Sequence, residues 1–555
     1  MPFKWTLMVF LAGDNNLSEE CIFALNEMKK VGSTDEVAVI VELDTPVHEN
    51  TRLKIEKGNR PGQLVRELNQ SRLDSAKNIK KAIKRLSANK ADAAAVEKHE
   101  SALERDELSY RDRIFDFVED CVGKYPAEHY MLVLNGHGSG VYGGLLAKED
   151  GEDTESLTAI NLAHLMKMIN DLLHGRRIDI LGIDTCLMAM TEVACMIHNQ
   201  VKVMIGAEGF EPLAGWPYQM VLKALNDNKI NDDLKKLSTR IVQDYTTFYT
   251  DYQAAAVSVD QAACNLDESE LLIRAVASFS EALGSELNSP DKTTVRDIRN
   301  ALILAHWEAQ PYLGQKYVDL YDFCNLLKEQ CSRHGLETYC WRRIRAACQN
   351  VLNTIRGPQN EDDAMYADDR FQYKDDKAPV NFQTDPKGFV WKSCYSGPIV
   401  QYSYGAAIYF PWSEEHAKLD EYGQIHFCKN SEWINFLIDY LRVTKREPRK
   451  GPVAIQNQAD QLTSQAFMQL AEFKSSTVNK SSSDNSNSSD KKSSTVNKSS
   501  TVNKSSTVNK SSTVNKNLDN LAGSMRNPPT EFNSCIDWDD PFATPTRLSK
   551  GVGGN

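Results

Sequence analysis

Two chemically active side chains stand at equivalent places in two similar segments. His137 lies in Tyr130-Met-Leu-Val-Leu-Asn-Gly-His-Gly-Ser-Gly140, and Cys186 lies in Ile178-Asp-Ile-Leu-Gly-Ile-Asp-Thr-Cys-Leu-Met188. Each is an apolar run that ends in small or polar residues just before the active group, the pattern of a buried parallel strand opening at its carboxyl end. In open α/β sheets ligands bind at that rim. A thiol is a better nucleophile than a hydroxyl, and an imidazole can accept its proton and return it to a leaving amine. The pair therefore points to a cysteine hydrolase. Backbone N–H groups of Gly138 and of Cys186 are the candidate donors to a developing oxyanion. Gly136, Gly138 and Gly140 let the loop approach a substrate without Cβ interference. Taken singly, a cysteine at a helix start or a loop histidine is more often structural; two of them at strand ends among glycines favour chemistry.

Strands alternating with helical connections must position this pair. Trp5 to Leu11 predicts a buried strand, with Asp14-Asn-Asn-Leu-Ser18 as its exit and a helix cap. Leu17 to Val31 has helical spacing, Glu36 to Asp44 predicts the second strand, and Arg113 to Val122 a core helix. The strands that carry His137 and Cys186 follow, then Val201 to Gly206 and a sixth strand over Ala254 to Asp260. That alternation implies parallel βαβ units with right-handed crossovers. Residues from 70 to 110, rich in Ala, Lys and Glu, predict polar helices inserted into this frame. From 265 to 355 the signal is mostly helical, with apolar faces in Leu271 to Leu283 and Val318 to Leu327; a strand over Tyr404 to Pro411 and a closing helix over Trp433 to Leu441 follow.

Composition sets the outer limits. A chain of 555 residues, 41% hydrophobic and 25% charged, can hold two or three domains with large cores. The net charge of -12 argues against a nucleic-acid surface, and Lys-rich stretches such as Lys77 to Arg85 are most simply solvated helix faces. The 12 cysteines include no C-x-x-C pair, so reduced core thiols are expected for most. No run is long enough to span a bilayer. The first residues form too brief an apolar stretch for a signal peptide, so the expected setting is the cytoplasm, or export without a classical amino-terminal signal.

At the two active segments the chain resembles the clostripain family of cysteine peptidases, a branch of the caspase and gingipain clan. The family's paired signatures, a strand followed by His-Gly and a strand followed by Asp-x-Cys-Leu-Met, stand here as His137-Gly138 and Asp184-Thr-Cys-Leu-Met188. The likeness extends to Trp5 to Leu17, Tyr125 to Tyr130, Ala207 to Trp216, Tyr317 to Phe323, Ile408 to Pro411 and Trp433 to Leu437, and so covers residues 1 to 443. The chain departs from the pattern at Asn135-Gly136, where a Trp or acidic residue is usual, and at Ala207, where Ser is usual. The resemblance implies a caspase-like, mostly parallel sheet flanked by helices, with a peptidase domain over 1–265 and a helical subdomain over 266–450 packed on the sheet. It implies cleavage of polypeptides after Arg or Lys, with Asp184 in an acidic S1 pocket that neutralises a buried substrate cation and with Glu208 and Glu211 in support. It also implies relatives that use calcium and that cut themselves after the histidine. The chemistry itself requires no cofactor, and no EF-hand spacing marks a calcium site. For self-cleavage, Lys148-Glu149 is the candidate bond, in a stretch rich in Gly and acids.

The tail differs in kind. Ser475-Ser-Thr-Val-Asn-Lys480 recurs at Ser493, Ser499, Ser505 and Ser511. One Val per repeat cannot bury a core, so 451–555 is expected to be disordered. A catalytically silent, peptidase-like scaffold is the competing reading, since a fold can persist without turnover; the intact His137, Gly138 and Cys186 speak against it.

Overall fold

The computed structural model describes residues 2–45, 51–58, 109–146, 156–250, 257–313, 316–333, 338–357, 388–413, 417–445 and the backbone of 533–536. Met1–Gly451 with Ser534–Asn555 form one compact unit, and Pro452–Asn533 a second. The expected helical insertion over 70–110, the Lys148-Glu149 bond and the repeats lie outside the described residues.

The apolar runs form the centre of a nine-stranded sheet. Its strands are Phe3–Ala12 (β1), Val37–Asp44 (β2), Thr51–Lys54 (β3), Ala127–Asn135 (β4), Ile178–Asp184 (β5), Val201–Gly206 (β6), Val259–Asn265 (β7), Val390–Ser396 (β10) and Asn533–Ile536 (β12). Their order is β12-β10-β7-β6-β5-β4-β1-β2-β3, and β2, β1, β4, β5 and β6 run parallel. Strand β7 is a correction to the sequence reading. It lies further along the chain than Ala254 to Asp260, and it pairs antiparallel to β6. Two helices, Tyr218–Leu225 (α6) and Leu234–Thr250 (α7), separate β6 from β7 in place of a single crossover, and a longer connection can return the chain in the opposite sense.

Alternation along the central strands divides the core into two faces. Met8, Phe10 and Ala12 of β1 with Leu132 and Leu134 of β4 pack beneath Tyr110–Lys124 (α2) and Ala159–Leu172 (α4). Leu7, Val9 and Leu11 with Met131 and Val133 pack beneath Ser18–Lys29 (α1), α6 and α7. Both helix layers are needed because a parallel sheet is apolar on both sides. Ser109 and Thr158 cap α2 and α4, each side chain accepting an N–H from the first turn.

The later residues join the same unit. Strand β10 pairs antiparallel to β7 inside the main sheet, and Pro311–Tyr312 (β8), Tyr317–Asp319 (β9) and Ala407–Tyr409 (β11) form a separate three-stranded sheet. Helices Ser269–Leu287 (α8), Lys292–Glu308 (α9), Leu320–Arg333 (α10), Tyr339–Arg356 (α11) and Trp433–Thr444 (α14) supply the helical signal. Val318, which the sequence pattern places on a helical face, lies in β9, and the helix begins at Leu320. Among the described residues no helix is long and apolar enough to cross a membrane.

Candidate active site

Register brings His137 and Cys186 to one rim. Asn135 on β4 and Asp184 on β5 are direct partners in the parallel ladder. Their side chains lie on one face, where Asn135 Nδ2 donates to Asp184 Oδ2 at 2.8 Å. His137 and Cys186 each follow two residues later, and the Gly136 amide still donates to the Asp184 carbonyl at 3.3 Å. The two exits then touch through Gly138: a Cβ there would stand 2.3 Å from the Cys186 carbonyl oxygen and 2.5 Å from Thr185 Oγ1. Only glycine allows that approach.

Each exit is fixed by bonds to other elements. Leu146 N–H donates to the His137 carbonyl at 2.8 Å, and Leu145 and Leu157 exchange two backbone bonds of 2.8 Å. Tyr317 of β9 donates its hydroxyl to the Ser139 carbonyl at 3.0 Å. After Cys186 the chain turns sharply, with Leu187 at φ 64, a conformation that costs a branched side chain energy. The turn is held by amide bonds of 2.9 Å from Leu187 to Gly209 and from Met188 to Ala207. Neither the Gly138 nor the Cys186 amide donates a hydrogen bond to another residue among the described residues.

The loop after β6 lies over the thiol. Glu211 N–H donates to Cys186 Sγ at 3.3 Å, and Sγ lies 3.8 Å from the Glu211 carbonyl oxygen. Burial pushes the thiol up to about 11; the Glu211 amide works against this and the Asp184 charge adds to it. The resting sulfur is therefore a thiol and needs a base to attack.

Three acids were expected to line the substrate pocket, and the structure brings two of them together. Asp184, 2% exposed, accepts the Tyr218 hydroxyl at 2.7 Å in addition to Asn135. Glu211 turns its carboxyl onto Asp184 and accepts Trp216 Nε1 at 3.3 Å. Burial and the neighbouring Asp184 charge raise Glu211 well above the usual carboxyl range, so Glu211 holds the proton that the pair shares. Burial raises Asp184 as well, while bonds from Glu211, Tyr218 and Asn135 favour its charged form. Gly215, at φ 62, closes over this pair, where a Cβ would stand 2.9 Å from Asp184 Oδ1.

Glu208 does not join them. Its Oε2 accepts the Gly405 amide at 2.7 Å, and its carboxyl shares a site with Asp319 beside Asp260. Its residue number is near that of Glu211, but the chain between them turns at Gly209, whose amide Asp260 Oδ1 accepts at 2.9 Å. Among the described residues no group of three or more His, Cys, Asp or Glu side chains could hold a metal ion. The sequence reading missed Asn16, Tyr218 and Trp216. Asn16 Oδ1 lies 2.6 Å from His137 Nε2, a contact made across the β1–β4 neighbours.

A thiol and an imidazole at the open end of a mostly parallel sheet, above a buried acid pair, are the parts of a cysteine hydrolase. The chain belongs to the clostripain family, whose pattern matches residues 9–547. Members of that family are cysteine peptidases, and this chain is a cysteine-type endopeptidase acting on polypeptides. Among solved structures, it is similar to a secreted C11 cysteine protease from Bacteroides thetaiotaomicron bound to an irreversible peptide inhibitor. That match has 15% identity and a TM-score of 0.45, and covers 78% of this chain and 99% of the other. A second is an inactive zymogen C11 protease from Parabacteroides distasonis, at 16% identity and a TM-score of 0.43, with 78% and 99% covered. No curated protein sequence matches.

Proposed function

We propose that this peptidase works through a Cys186–His137 dyad and cuts after Arg or Lys. The observation that carries the proposal is the register pair Asn135–Asp184, which sets both active groups the same distance beyond adjacent parallel strands. In the reaction His137 takes the Cys186 proton as sulfur attacks the scissile carbonyl carbon. The oxyanion is held by the Gly138 and Cys186 amides, which no neighbouring described residue occupies. The imidazolium then protonates the departing amine, leaving a thioester that water hydrolyses, with His137 again the base.

Asp184 gives the site its preference for a cation. A guanidinium or ammonium entering beside Asp184 supplies the positive charge that the pair lacks and displaces the proton from Glu211. Substrate must also move the Glu211 backbone off the thiol. Self-processing after Lys148 belongs to the same reading. The segment that carries this bond leaves from Leu146 and returns to Ser156, and its base is the Leu145–Leu157 bridge beside the His137 carbonyl. A cut there would free the histidine loop at one end.

The test is turnover of fluorogenic peptides with Arg, Lys, Asp or Leu at P1, using wild type and Cys186→Ala. Cleavage after Arg or Lys that disappears in Cys186→Ala is the expected result. Activity that persists in Cys186→Ala, or cleavage confined to Asp or Leu, would overturn the reading.

A further inference from the structure

We infer that Glu211 is a built-in occupant of the substrate site: its backbone engages the Cys186 sulfur, its side chain fills the Asp184 pocket, and the Gly209–Gly215 segment must lift before a peptide binds. The inference rests on the proposal that Cys186 is the nucleophile and Asp184 the acceptor of the substrate cation. It adds to that site a latent resting state.

One residue reaches both groups. Glu211 N–H donates to Cys186 Sγ at 3.3 Å, and the Cys186 thiol donates to the Glu211 carbonyl at 3.8 Å. Both backbone groups of Glu211 are thus turned to the sulfur, where a scissile carbonyl has to stand. Backbone at the nucleophile and side chain in the cation pocket is the layout of a bound P1 residue.

The side chain satisfies the pocket much as a substrate cation would. Asp184 Oδ2 already accepts Tyr218 at 2.7 Å and Asn135 at 2.8 Å. The Glu211 carboxyl bonds Asp184 as well, and its Oε1 accepts Trp216 Nε1 at 3.3 Å. Burial and the Asp184 charge keep the proton on Glu211, which makes it an O–H donor to a carboxylate, a strong charge-assisted bond. Asp184 is left 2% exposed. A peptide with Arg or Lys at P1 therefore has to move Glu211 aside as it enters.

The segment that carries Glu211 is anchored at both ends and open in the middle. Gly209 N–H donates to Asp260 Oδ1 and its carbonyl accepts Leu187 N–H, both at 2.9 Å, while the Gly215 carbonyl accepts the Tyr249 hydroxyl at 2.6 Å. Between these anchors Phe210 is exposed and residues 211–214 are partly exposed, whereas 215–218 are buried. A glycine at each end gives the backbone freedom for a swing, and Gly215 already stands at φ 62. Cys186 itself is partly exposed, so a small reagent reaches a sulfur at which a peptide cannot yet be seated.

The experiment measures the rate of Cys186 alkylation in the full chain, by mass spectrometry, with iodoacetamide and with a peptidyl chloromethyl ketone ending in Leu. Both reagents need the same thiolate, so the ratio of their rates cancels its ionisation and reads access. The neutral Leu keeps the charge at position 211 from acting on the reagent. Glu211→Ala should raise the peptidyl-to-iodoacetamide ratio about 10-fold, because the bond to Asp184 no longer holds the site closed. Glu211→Gln, whose amide can still donate to Asp184, should keep the wild-type ratio. An unchanged or lower ratio in Glu211→Ala, or an equal rise in Glu211→Gln, overturns the inference. If Glu211→Ala does not fold, Glu211→Asp, whose carboxyl stops one methylene short of Asp184, decides by the same ratio. Failure of the underlying reading is separately visible, as turnover that persists in Cys186→Ala or as a P1 preference that Asp184→Asn leaves unchanged.

Discussion

Two buried acid groups lie at the carboxyl end of the same sheet, and they differ in what surrounds them. Asp184 and Glu211 share a proton next to the Cys186 thiol, beneath a glycine that leaves the carboxylate uncovered by any Cβ. Glu208, Asp319 and Asp260 are also buried, but each of them accepts at least one backbone amide. Asp319 accepts Asp322 and Tyr404 N–H at 2.6 Å each, Asp260 accepts Glu208 and Gly209, and Glu208 accepts Gly405. Those bonds tie β7, β9 and the loop before β11 into one corner. A raised carboxyl is thus a sign of burial, and under the proposed function it is position beside Cys186 that would separate a specificity group from a structural one.

The largest expected effect falls on the dyad. Cys186→Ala or His137→Ala should lower turnover by orders of magnitude while the thermal midpoint stays near wild type, because dyad members act as a unit. Next is Asp184→Asn, which should cost a P1 Arg peptide about 100-fold more in kcat/KM than a P1 Leu peptide. Equal losses would put Asp184 in the same structural class as Asp319. Asp319→Asn should show the reverse pattern: a stability change of about 1–3 kcal/mol by denaturant titration, with the Arg-to-Leu ratio untouched.

The structural corner also has a pH signature. Burial raises Asp319 to about 7 and Asp260 to about 6, both above their ordinary range, so the folded state binds protons that the unfolded chain releases. Their contribution is fully present below about pH 4 and is lost as pH rises toward 7. The denaturation midpoint should fall between pH 5 and pH 8, and Asp319→Asn should flatten that fall. The smallest effect is Glu211→Gln, which keeps the bond to Asp184 but carries no titrating proton. It should remove the improvement in P1 Arg binding that wild type gains as pH rises through the titration of Glu211, read as KM against pH.

The same contrast explains what could be read from sequence. The strands that lead to His137 and Cys186 were legible because apolar runs buried on both faces have no other simple reading. Strand β7 was misplaced because Asp260 and Gln261 look like a strand end, whereas Asp260 lies inside the strand and binds two amides of the neighbouring loop. Strand β9 is three residues long and runs straight into α10, so its Val318 matches the helical spacing that follows. Asn16 was read as part of a helix cap because its partner His137 is set by the lateral order of β2, β1 and β4, which the linear pattern does not contain. The place of Glu211 over the thiol depends likewise on how the loop after β6 folds back.

The most direct test of the account is the position of a covalent mark. Full-length protein is treated with a peptidyl chloromethyl ketone ending in Arg, digested, and mapped by mass spectrometry, in parallel with Asp184→Asn and with the same reagent ending in Leu. The account predicts one adduct, on Cys186, formed much faster by the Arg reagent than by the Leu reagent, with that advantage lost in Asp184→Asn. An adduct on a different cysteine, or equal labelling of Cys186 by both reagents in wild type, would contradict it.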